Sequence, residues 1–493
     1  MKKLLVANRG EIAIRVFRTA REMGIKTVAV FSEADRRSAH TLFADEAICI
    51  GPPPPNESYL LIDRVIQAAM DTCADAIHPG YGFLSERAEF VDACMAAGIA
   101  FVGPSSSAMR KLGGKIEAKQ LAVASGVPIT PGFFEPGSNC EELARAAMEI
   151  GYPVMLKASA GGGGRGMRVV RDPDDFDQEF AIASDEALKG FGDGSMMVEK
   201  LVERPRHIEV QFLADSHGNV ACLFERECSL QRRHQKLVEE APSRVVNEAV
   251  WQTLRTAVAS LVRNAGYEGA GTAEFIFDAV SQQPYFLEVN ARLQVEHPVT
   301  EAITGIDLVR QQLLIAQGLP MESTDMPRSA INGHAIEVRI VAEDPAAGFM
   351  PSIGKILGWS EPQGPGIRVD TGYGPGAEVT RFYDSMIAKL IVHAETRGQA
   401  IQKLKHALLD FHVLGVKTNI AYILDVLEHP GFARAEFDTD WLGREFGTWA
   451  PSPVIHDEIG LISGLANEKS SAEVRQGATG AWAIADTFRV TGA

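Results

Sequence analysis

Phe286-Leu287-Glu288-Val289-Asn290-Ala291-Arg292-Leu293-Gln294-Val295-Glu296-His297-Pro298 is the stretch on which the reading of this chain turns. Glu288, Asn290, Arg292, Gln294 and Glu296 alternate with Val289, Ala291, Leu293 and Val295. At a period of two, an extended segment turns all five polar side chains to one face. Carboxylates suit a hard cation, and a guanidinium suits an anion. The face is expected to hold a cation and an anion together. A solvated strand face of mixed charge is the competing reading.

A neighbouring strand strengthens the first reading. Gly271-Thr272-Ala273-Glu274-Phe275-Ile276-Phe277 precedes a turn, Ser281-Gln282-Gln283-Pro284. With pairing centred near Gln282, Glu274 is expected opposite Asn290, and Ile276 opposite Glu288. Glu274, Glu288 and Asn290 then share a face as oxygen ligands for Mg²⁺ or Mn²⁺ rather than zinc. Mg²⁺ uses few carboxylates and completes its shell with substrate phosphates, so a metal–nucleotide site follows. The alternative is a salt-bridged sheet face.

Val154-Met155-Leu156-Lys157-Ala158-Ser159-Ala160-Gly161-Gly162-Gly163-Gly164-Arg165-Gly166-Met167 reads as a strand delivering Lys157 into a glycine loop, with a further strand from Met167 to Val170. Glycines accept positive φ and let backbone N–H groups approach phosphate oxygens. The loop is not G-x-x-x-x-G-K-[ST]. It lies between strands, so a helix-dipole phosphate site is not indicated. A mobile flap over a nucleotide is expected, against the alternative of a flexible surface hairpin.

Gln231-Arg232-Arg233-His234-Gln235-Lys236 is a dense basic cluster suited to phosphate or a small carboxylate-like anion, or simply a solvated turn. His78-Pro79-Gly80-Tyr81-Gly82-Phe83-Leu84-Ser85-Glu86 follows a strand end, where ligand loops of parallel sheets sit. Asn8-Arg9-Gly10-Glu11 lacks G-x-G-x-x-G, which argues against a Rossmann dinucleotide site. Cys228 reads as a buried structural thiol rather than a nucleophile. No Ser-His-Asp or Cys-His order can be argued from spacing.

Outward from these motifs, strands at Leu4–Ala7, Thr27–Phe31, Ala74–His78 and Ala100–Val102 alternate with helices at Ile12–Met23, Tyr59–Met70 and Ala88–Ala97. That alternation implies a parallel sheet covered on both faces. A helix is expected over Ile116–Ser125. Beyond it, strands are expected at His207–Ala214, Val220–Arg226, Gly271–Phe277 and Tyr285–Asn290, with a helix at Glu248–Ala265. The expected divisions are 1–113, 114–202, 203–330, 331–446 and a tail, 447–493.

With 493 residues, 46% of them hydrophobic, the chain has material for roughly two to four domains. Its 48 Lys and Arg against 64 Asp and Glu give a net charge of -16. That balance argues against nucleic acid or an anionic membrane as the main partner. Six cysteines without a C-x-x-C pair read as reduced thiols of a cytosolic-type compartment. The N-terminal apolar run breaks at Asn8, too early for a signal peptide, and no run approaches the roughly 18 residues of a span. A soluble intracellular protein is expected.

The chain resembles the biotin carboxylase family of ATP-grasp enzymes. The resemblance is carried by Ala7-Asn8-Arg9-Gly10-Glu11-Ile12-Ala13, His78 to Glu86, Lys157 to Met167, Gln231 to Lys236, Glu288 to Thr300 and Glu337-Val338-Arg339-Ile340, and extends over about residues 1–446. It implies an α/β fold: an N-terminal doubly wound parallel-sheet domain, a small lid and a C-terminal mixed-sheet domain completing the ATP-grasp. It implies that Lys115, Lys157 and the loop Gly163, Gly164, Arg165 and Gly166 hold ATP phosphates. Glu199, Lys200 and Val202 would line the adenine site, with His207, Gln231 and His234 near the nucleotide. Glu274, Glu288 and Asn290 would bind Mg²⁺ or Mn²⁺. Lys236, Arg292, Gln294 and the backbone of Val295 would hold bicarbonate. Glu296 would take its proton, Arg339 would stabilise the biotin enolate, and Tyr81 would sit beside the biotin ring.

The implied cofactors are ATP, the divalent ion and biotin on a carrier. The implied partners are a biotin carboxyl carrier protein or domain and a carboxyltransferase subunit, in a homodimer or larger complex in the cytoplasm. Ala160 departs from the family's loop, where another glycine is common. No Met-Lys-Met biotinylation segment is present. The tail, with Trp482 and Thr487 to Val490, resembles the start of a further β domain, so a truncated α subunit and a stand-alone subunit are both open. Another ATP-grasp enzyme forming an acyl phosphate, and a nucleotide-binding scaffold without turnover, are the competing functions.

Overall fold

The computed structural model describes residues 1–451 except 136, 160–165 and 323–325, and the side chains of Lys115 and Phe191 also lie outside the description. Ala160, Gly163, Gly164, Arg165 and the tail residues Trp482 and Thr487 to Val490 are therefore outside the described residues, as is the Lys115 side chain. The chain divides into two units, Met1–Gly447 and Thr448–Ala493. The first contains every element below.

Five parallel strands open that unit, in the spatial order Glu46–Gly51, Lys26–Ser32, Lys3–Val6, Ala76–His78, Ala100–Phe101. Leu4, Leu5, Val6, Val28, Ala29 and Val30 are fully buried, as strands covered on both faces must be. The helices Gly10–Glu22, Ile62–Asp71 and Ala88–Ala96 supply that cover. The first expected helix begins two residues early, at Gly10, whose φ of 65° lets the chain turn straight out of the strand. The second begins at Ile62 rather than Tyr59, because Pro55–Glu57 forms a separate turn ahead of it. Strand Glu46–Gly51 had no clear signal, since its edge position leaves most of it exposed or half-buried.

Strand order reverses between Lys3–Val6 and Ala76–His78, and the loops leaving these strands open a crevice. Asn8 Nδ2 laces them together, donating to the Pro79 and Tyr81 carbonyls at 2.9 and 2.7 Å. Gly80 sits against Asn8 at φ 65°, where a Cβ would lie 2.8 Å from Nδ2.

The next portion carries a four-stranded antiparallel sheet, in the order Gly132–Phe133, Met196–Lys200, Val154–Ala158, Met167–Val170. Helices Cys140–Ile150 and Phe176–Phe191 share its core of Leu143, Ala147, Leu156, Val170, Phe176 and Val198. The expected hairpin is present, with Lys157 opposite Met167 at the mouth of the glycine loop.

An eight-stranded sheet forms the rest, in the order Gln283–Asn290, Gly269–Asp278, Arg206–Ala214, Val220–Arg232, Gln235–Ala241, His334–Val341, Met386–Ala394, Ile367–Thr371. Its ladders are antiparallel, and its mixed character is confined to one parallel bridge at the edge, Ile129 to Phe286. Gln235–Ala241 pairs with His334–Val341, so the sheet runs without a break across residue 330. Helix Glu248–Ala265 has the expected bounds, with Asn247 capping its start and Gly266 closing it in the left-handed conformation.

Two expectations about this sheet are corrected. Glu274 pairs with Glu288 rather than Asn290, and Ile276 pairs with Tyr285. The turn falls before Gln283, not over 281–284, and a bulge places Leu287 as an extra residue between the pairs Phe275–Phe286 and Glu274–Glu288. The polar alternation also does not stay on one strand, which ends at Asn290. Arg292, Gln294 and Glu296 stand on the turn that leads into helix His297–Thr304, with Glu296 at its N-cap position.

Candidate active site

Strand Arg206–Ala214 alternates His207, Glu209 and Gln211 along one face, and the register places Glu209 beside Glu274. The hairpin joining Val220–Arg232 to Gln235–Ala241 sets Lys236 opposite Gln231, with Arg233 and His234 at positive φ in its turn. The chain leaving Asn290 then folds back over the same face. Five strands placed by register, and the turn after Asn290, therefore converge on a small area.

Lys236 is the hub of that area. Its Nζ donates to Glu209, Glu274 and Glu296 at 2.5, 2.8 and 2.7 Å. Burial opposes its charge, but the three carboxylates hold its pKa well above that of an ordinary lysine. Glu274 also accepts from Asn290 Nδ2 at 2.9 Å and Gln294 Nε2 at 2.8 Å. His207 Nε2 lies 3.1 Å from Glu274 without hydrogen-bond alignment. Burial raises the Glu274 carboxyl, yet Lys236 and His207 outweigh it and hold the group well below the usual range.

Arg339 bridges two carboxylates, donating from Nε to Glu239 at 2.7 Å and from Nη2 to Glu296 at 3.0 Å. Glu296 thus faces Lys236 with one oxygen and Arg339 with the other. Burial pushes Glu296 up, but Lys236, Arg339 and Arg226 hold it far below an ordinary carboxyl. Burial instead wins at Glu239, pushed up to about 7 with Glu296 adding to the rise against Arg339. Arg292 donates to Glu86 and Asn290, both at 3.0 Å. Gln294 accepts from Arg226 at 2.8 Å, and Arg226 is fully buried.

Two cavities meet here. The larger, about 850 Å³, is lined by Lys157, Glu199, Lys200 and Val202 on one side and by His207, Gln231 and His234 on another. Glu274, Glu288, Asn290, Gln294 and Glu296 form its floor. The smaller, about 520 Å³, is lined by Asn8, Glu11, Tyr81 and the segment Phe382 to Ile387. Gln235, Lys236, Arg292, Val295 and Arg339 border both, forming a common wall.

At the far end of the larger cavity, Glu199 pairs with Lys157 and Lys119 and accepts from Thr130 at 2.9 Å. Burial raises the Glu199 carboxyl, but the two lysines bring it down to about 2. Lys200 turns its ammonium to the Gly151 and Tyr152 carbonyls at 2.8 and 3.1 Å. Gly166 borders neither cavity; it closes the hairpin at φ 68°, packed against Ala158.

The expected residues that are described thus gather on one surface, apart from Gly166. Sequence reasoning missed Glu209, Arg226, Glu239, Lys119 and the use of Glu86. Glu209 was the accessible one, because its alternation with His207 repeats the signal read at Glu288. Cys228 is fully buried, and burial with Glu209 holds its thiol well above the ordinary value, so no thiolate is available.

Glu274, Glu288 and Asn290 line the larger cavity with hard oxygen donors, a set that fits Mg²⁺ or Mn²⁺. His207, Glu209 and Glu274 also bring donor atoms within 4.8 Å of one another.

Three family models match in succession: biotin carboxylase, N-terminal domain, over 1–109; carbamoyl-phosphate synthase L chain, ATP binding domain, over 114–324; and biotin carboxylase C-terminal domain over 337–444. A biotin carboxylase of Halalkalibacterium halodurans is 51% identical over 440 residues, 89% of this chain and 96% of that one. The chain belongs to the biotin carboxylase family. Among solved biotin carboxylase structures, the biotin carboxylase domain dimer of Hydrogenobacter thermophilus 2-oxoglutarate carboxylase matches with a TM-score of 0.86 and 44% identity. The match covers 92% of this chain and 99% of that one, which is in complex with MgADP, ADP and bicarbonate. The mitochondrial methylcrotonoyl-CoA carboxylase subunit alpha of Mus musculus is 47% identical over 453 residues. That alignment takes in 91% of this biotin carboxylase chain and 63% of the mouse subunit, so the chain spans under two thirds of that relative.

Proposed function

We propose that this chain carboxylates biotin held on a carrier, using ATP and bicarbonate by way of carboxyphosphate, as the first half-reaction of an acyl-CoA carboxylase. The observation that carries the reading is the common wall: Lys236, Arg292 and Arg339 border the nucleotide-sized cavity and the smaller cavity at once. An ATP-dependent ligase of this family needs one anion activated on one side and used on the other.

ATP takes the larger cavity. Lys157, with Lys115 and the glycine loop Gly163, Gly164, Arg165 and Gly166, holds the phosphates; Glu199, Lys200 and Val202 line the base. His207, Gln231 and His234 lie along the nucleotide. Glu274, Glu288 and Asn290 would hold Mg²⁺ or Mn²⁺, which neutralises phosphate charge during phosphoryl transfer.

Bicarbonate is a weak nucleophile and must be held beside the γ-phosphate. Lys236, Arg292, Gln294 and the Val295 backbone hold it there. As it binds, Lys236 and Arg292 share their charge with the new anion. That relieves the hold on Glu296 and makes its carboxylate a better acceptor for the bicarbonate proton. The resulting carboxyphosphate breaks down to CO₂ and phosphate within the closed site. In the smaller cavity, the phosphate freed with CO₂ takes the biotin ureido N–H proton, and the nitrogen bonds to CO₂. Tyr81 flanks the ring, and Arg339 stabilises the negative charge formed on the ureido group, since a guanidinium stays charged.

Residues 114–202 act as linker and lid between the 1–113 domain and the 203–330 portion; 331–446 completes the biotin side, and 447–493 is a tail. The partners are a biotin carboxyl carrier protein or domain, a carboxyltransferase and a second copy of this chain, in the cytoplasm. Among the described residues no helix is long and apolar enough to cross a membrane. Phosphate release from ATP should require bicarbonate and rise with free biotin. Turnover indifferent to both would end this reading.

A further inference from the structure

We propose that Lys389 is a positioning residue for carboxylation: its ammonium sets the Gln294–Glu296 turn through the Val295 carbonyl and, through Glu11, sets the Tyr81 loop beside it. The inference rests on the reading of this site as the place where bicarbonate and biotin meet.

Lys389 lies on strand Met386–Ala394, directly across the ladder from Arg339. It is 0% exposed, with Nζ donating to the Val295 carbonyl at 2.9 Å. The same atom is 3.2 Å from Glu11 Oε1 and 3.8 Å from Asp370 Oδ2. Glu11 Oε1 in turn accepts from the Tyr81 hydroxyl. One ammonium therefore touches the bicarbonate turn directly and reaches the biotin loop through one carboxylate.

Filling space does not account for a lysine here. A buried ion pair is often no more stable than an apolar side chain of similar size. Nor are the carboxylates there to serve the lysine alone. Glu11 Oε2 and both oxygens of Glu337, two residues before Arg339, have no hydrogen-bond partner among the described residues. The site thus keeps a buried charge cluster whose one ammonium is aimed at a backbone carbonyl of the reacting turn.

That turn needs an external hold. It lies outside every ladder, and it is fixed by Glu86 at the Ala291 N–H, Arg226 at Gln294 and Lys389 at the Val295 carbonyl. Glu86 and Arg226 grip the turn before Val295. Lys389 alone of these grips the peptide that joins Val295 to Glu296. A shift of that peptide misaims the Glu296 carboxylate and loosens the bicarbonate seat, while the nucleotide end of the larger cavity is untouched.

The test is Lys389→Met in the full chain, with KM for bicarbonate, biotin and ATP measured separately. We expect KM to rise about tenfold or more for bicarbonate and biotin, and to stay within about twofold for ATP. A merely structural lysine would move all three together, or lower the melting temperature alone. The double variant Glu11→Gln/Lys389→Met leaves no Glu11 carboxylate stranded beside the lost charge, and carries the test if the single variant does not fold. Its bicarbonate KM should stay raised. A bicarbonate KM within twofold of wild type in either folded variant overturns the role of Lys389. Wild-type turnover that ignores bicarbonate would instead remove the reading of the site itself.

Discussion

Lys236 shows how much one side chain can carry. Three carboxylates surround it, so Lys236→Met removes the cation that Glu209, Glu274 and Glu296 share and leaves Arg226 on Glu209 and Arg339 on Glu296 against their mutual repulsion. Such a site takes up protons to relieve repulsion, which on the proposed assignment weakens both Glu274 as metal ligand and Glu296 as base. Glu296→Gln is the cleaner probe: it keeps the shape but loses the charge and one of the two oxygens that accept from Lys236 and Arg339, and it cannot accept a proton. Bicarbonate-dependent phosphate release should fall about 10²- to 10⁴-fold, with little change in the KM for ATP. Arg339→Ala should separate the half-steps, lowering carboxybiotin formation by about 10²-fold or more while bicarbonate-dependent ATP cleavage persists. Product analysis beside phosphate release reads the split; equal losses in both would reassign Arg339 to the bicarbonate side. At this scale the sequence was legible where polar residues broke an apolar rhythm, as at Glu288, Asn290 and Glu296. Glu239 stayed hidden because Glu240 follows it. Which of two adjacent glutamates faces the site depends on strand phase, and only pairing with Arg339 rather than with Arg397 sorts them.

That adjacent pair gives the strand Gln235–Ala241 two opposite pH responses. On one face, burial raises Glu240, but His334 at 2.8 Å and Arg397 at 2.6 Å bring it from an ordinary 4.5 down to about 2. A depressed carboxyl stabilises the fold above its unfolded pKa and loses that contribution as pH falls from 4.5 toward 2. Glu240→Gln should therefore flatten acid unfolding in that window, by on the order of 3 kcal/mol of pH-dependent stability. On the other face, Glu239 is raised from 4.5 to about 7, so its contribution is complete below 4.5 and is lost as pH rises to 7. On the proposed reading, ionised Glu239 competes with substrate for the Arg339 charge. The pH profile of biotin carboxylation should contain an ionisation near 7 that Glu239→Gln removes, while the profile for ATP cleavage without biotin keeps its shape. An unchanged biotin profile in that variant counts against the competition. Several element positions were legible from periodicity, though the strands Gln235–Ala241, His334–Val341 and Met386–Ala394 were not read, and register was not legible. The Leu287 bulge shifts pairing without changing any residue type, so no alternation betrays it.

Over the whole molecule, the proposed ATP site draws on lid, sheet and metal ligands that lie far apart in the chain. Ligand present at about 100 times its Kd stabilises the native state by roughly 2.7 kcal/mol. MgATP should raise the melting temperature accordingly, and EDTA should cancel most of that rise by stripping the ion from Glu274 and Glu288. A shift that survives EDTA undiminished would place the nucleotide away from those carboxylates. The N-terminal α/β layer was the most legible region, because parallel strands buried on both faces write continuous apolar runs such as Leu4 to Val6. The continuity of the large sheet was the least legible, since Gln235–Ala241 finds His334–Val341 across a long excursion of chain and nothing local announces the partner. The partition shared by the two chambers at Lys236, Arg292 and Arg339 would, on the proposed reading, work as an airlock for a short-lived species. CO₂ released on the nucleotide side would then meet its acceptor without crossing bulk water. Leakage, seen as ATP consumed without carboxybiotin formed, should grow with each atom shaved from that partition, even where every substrate still binds.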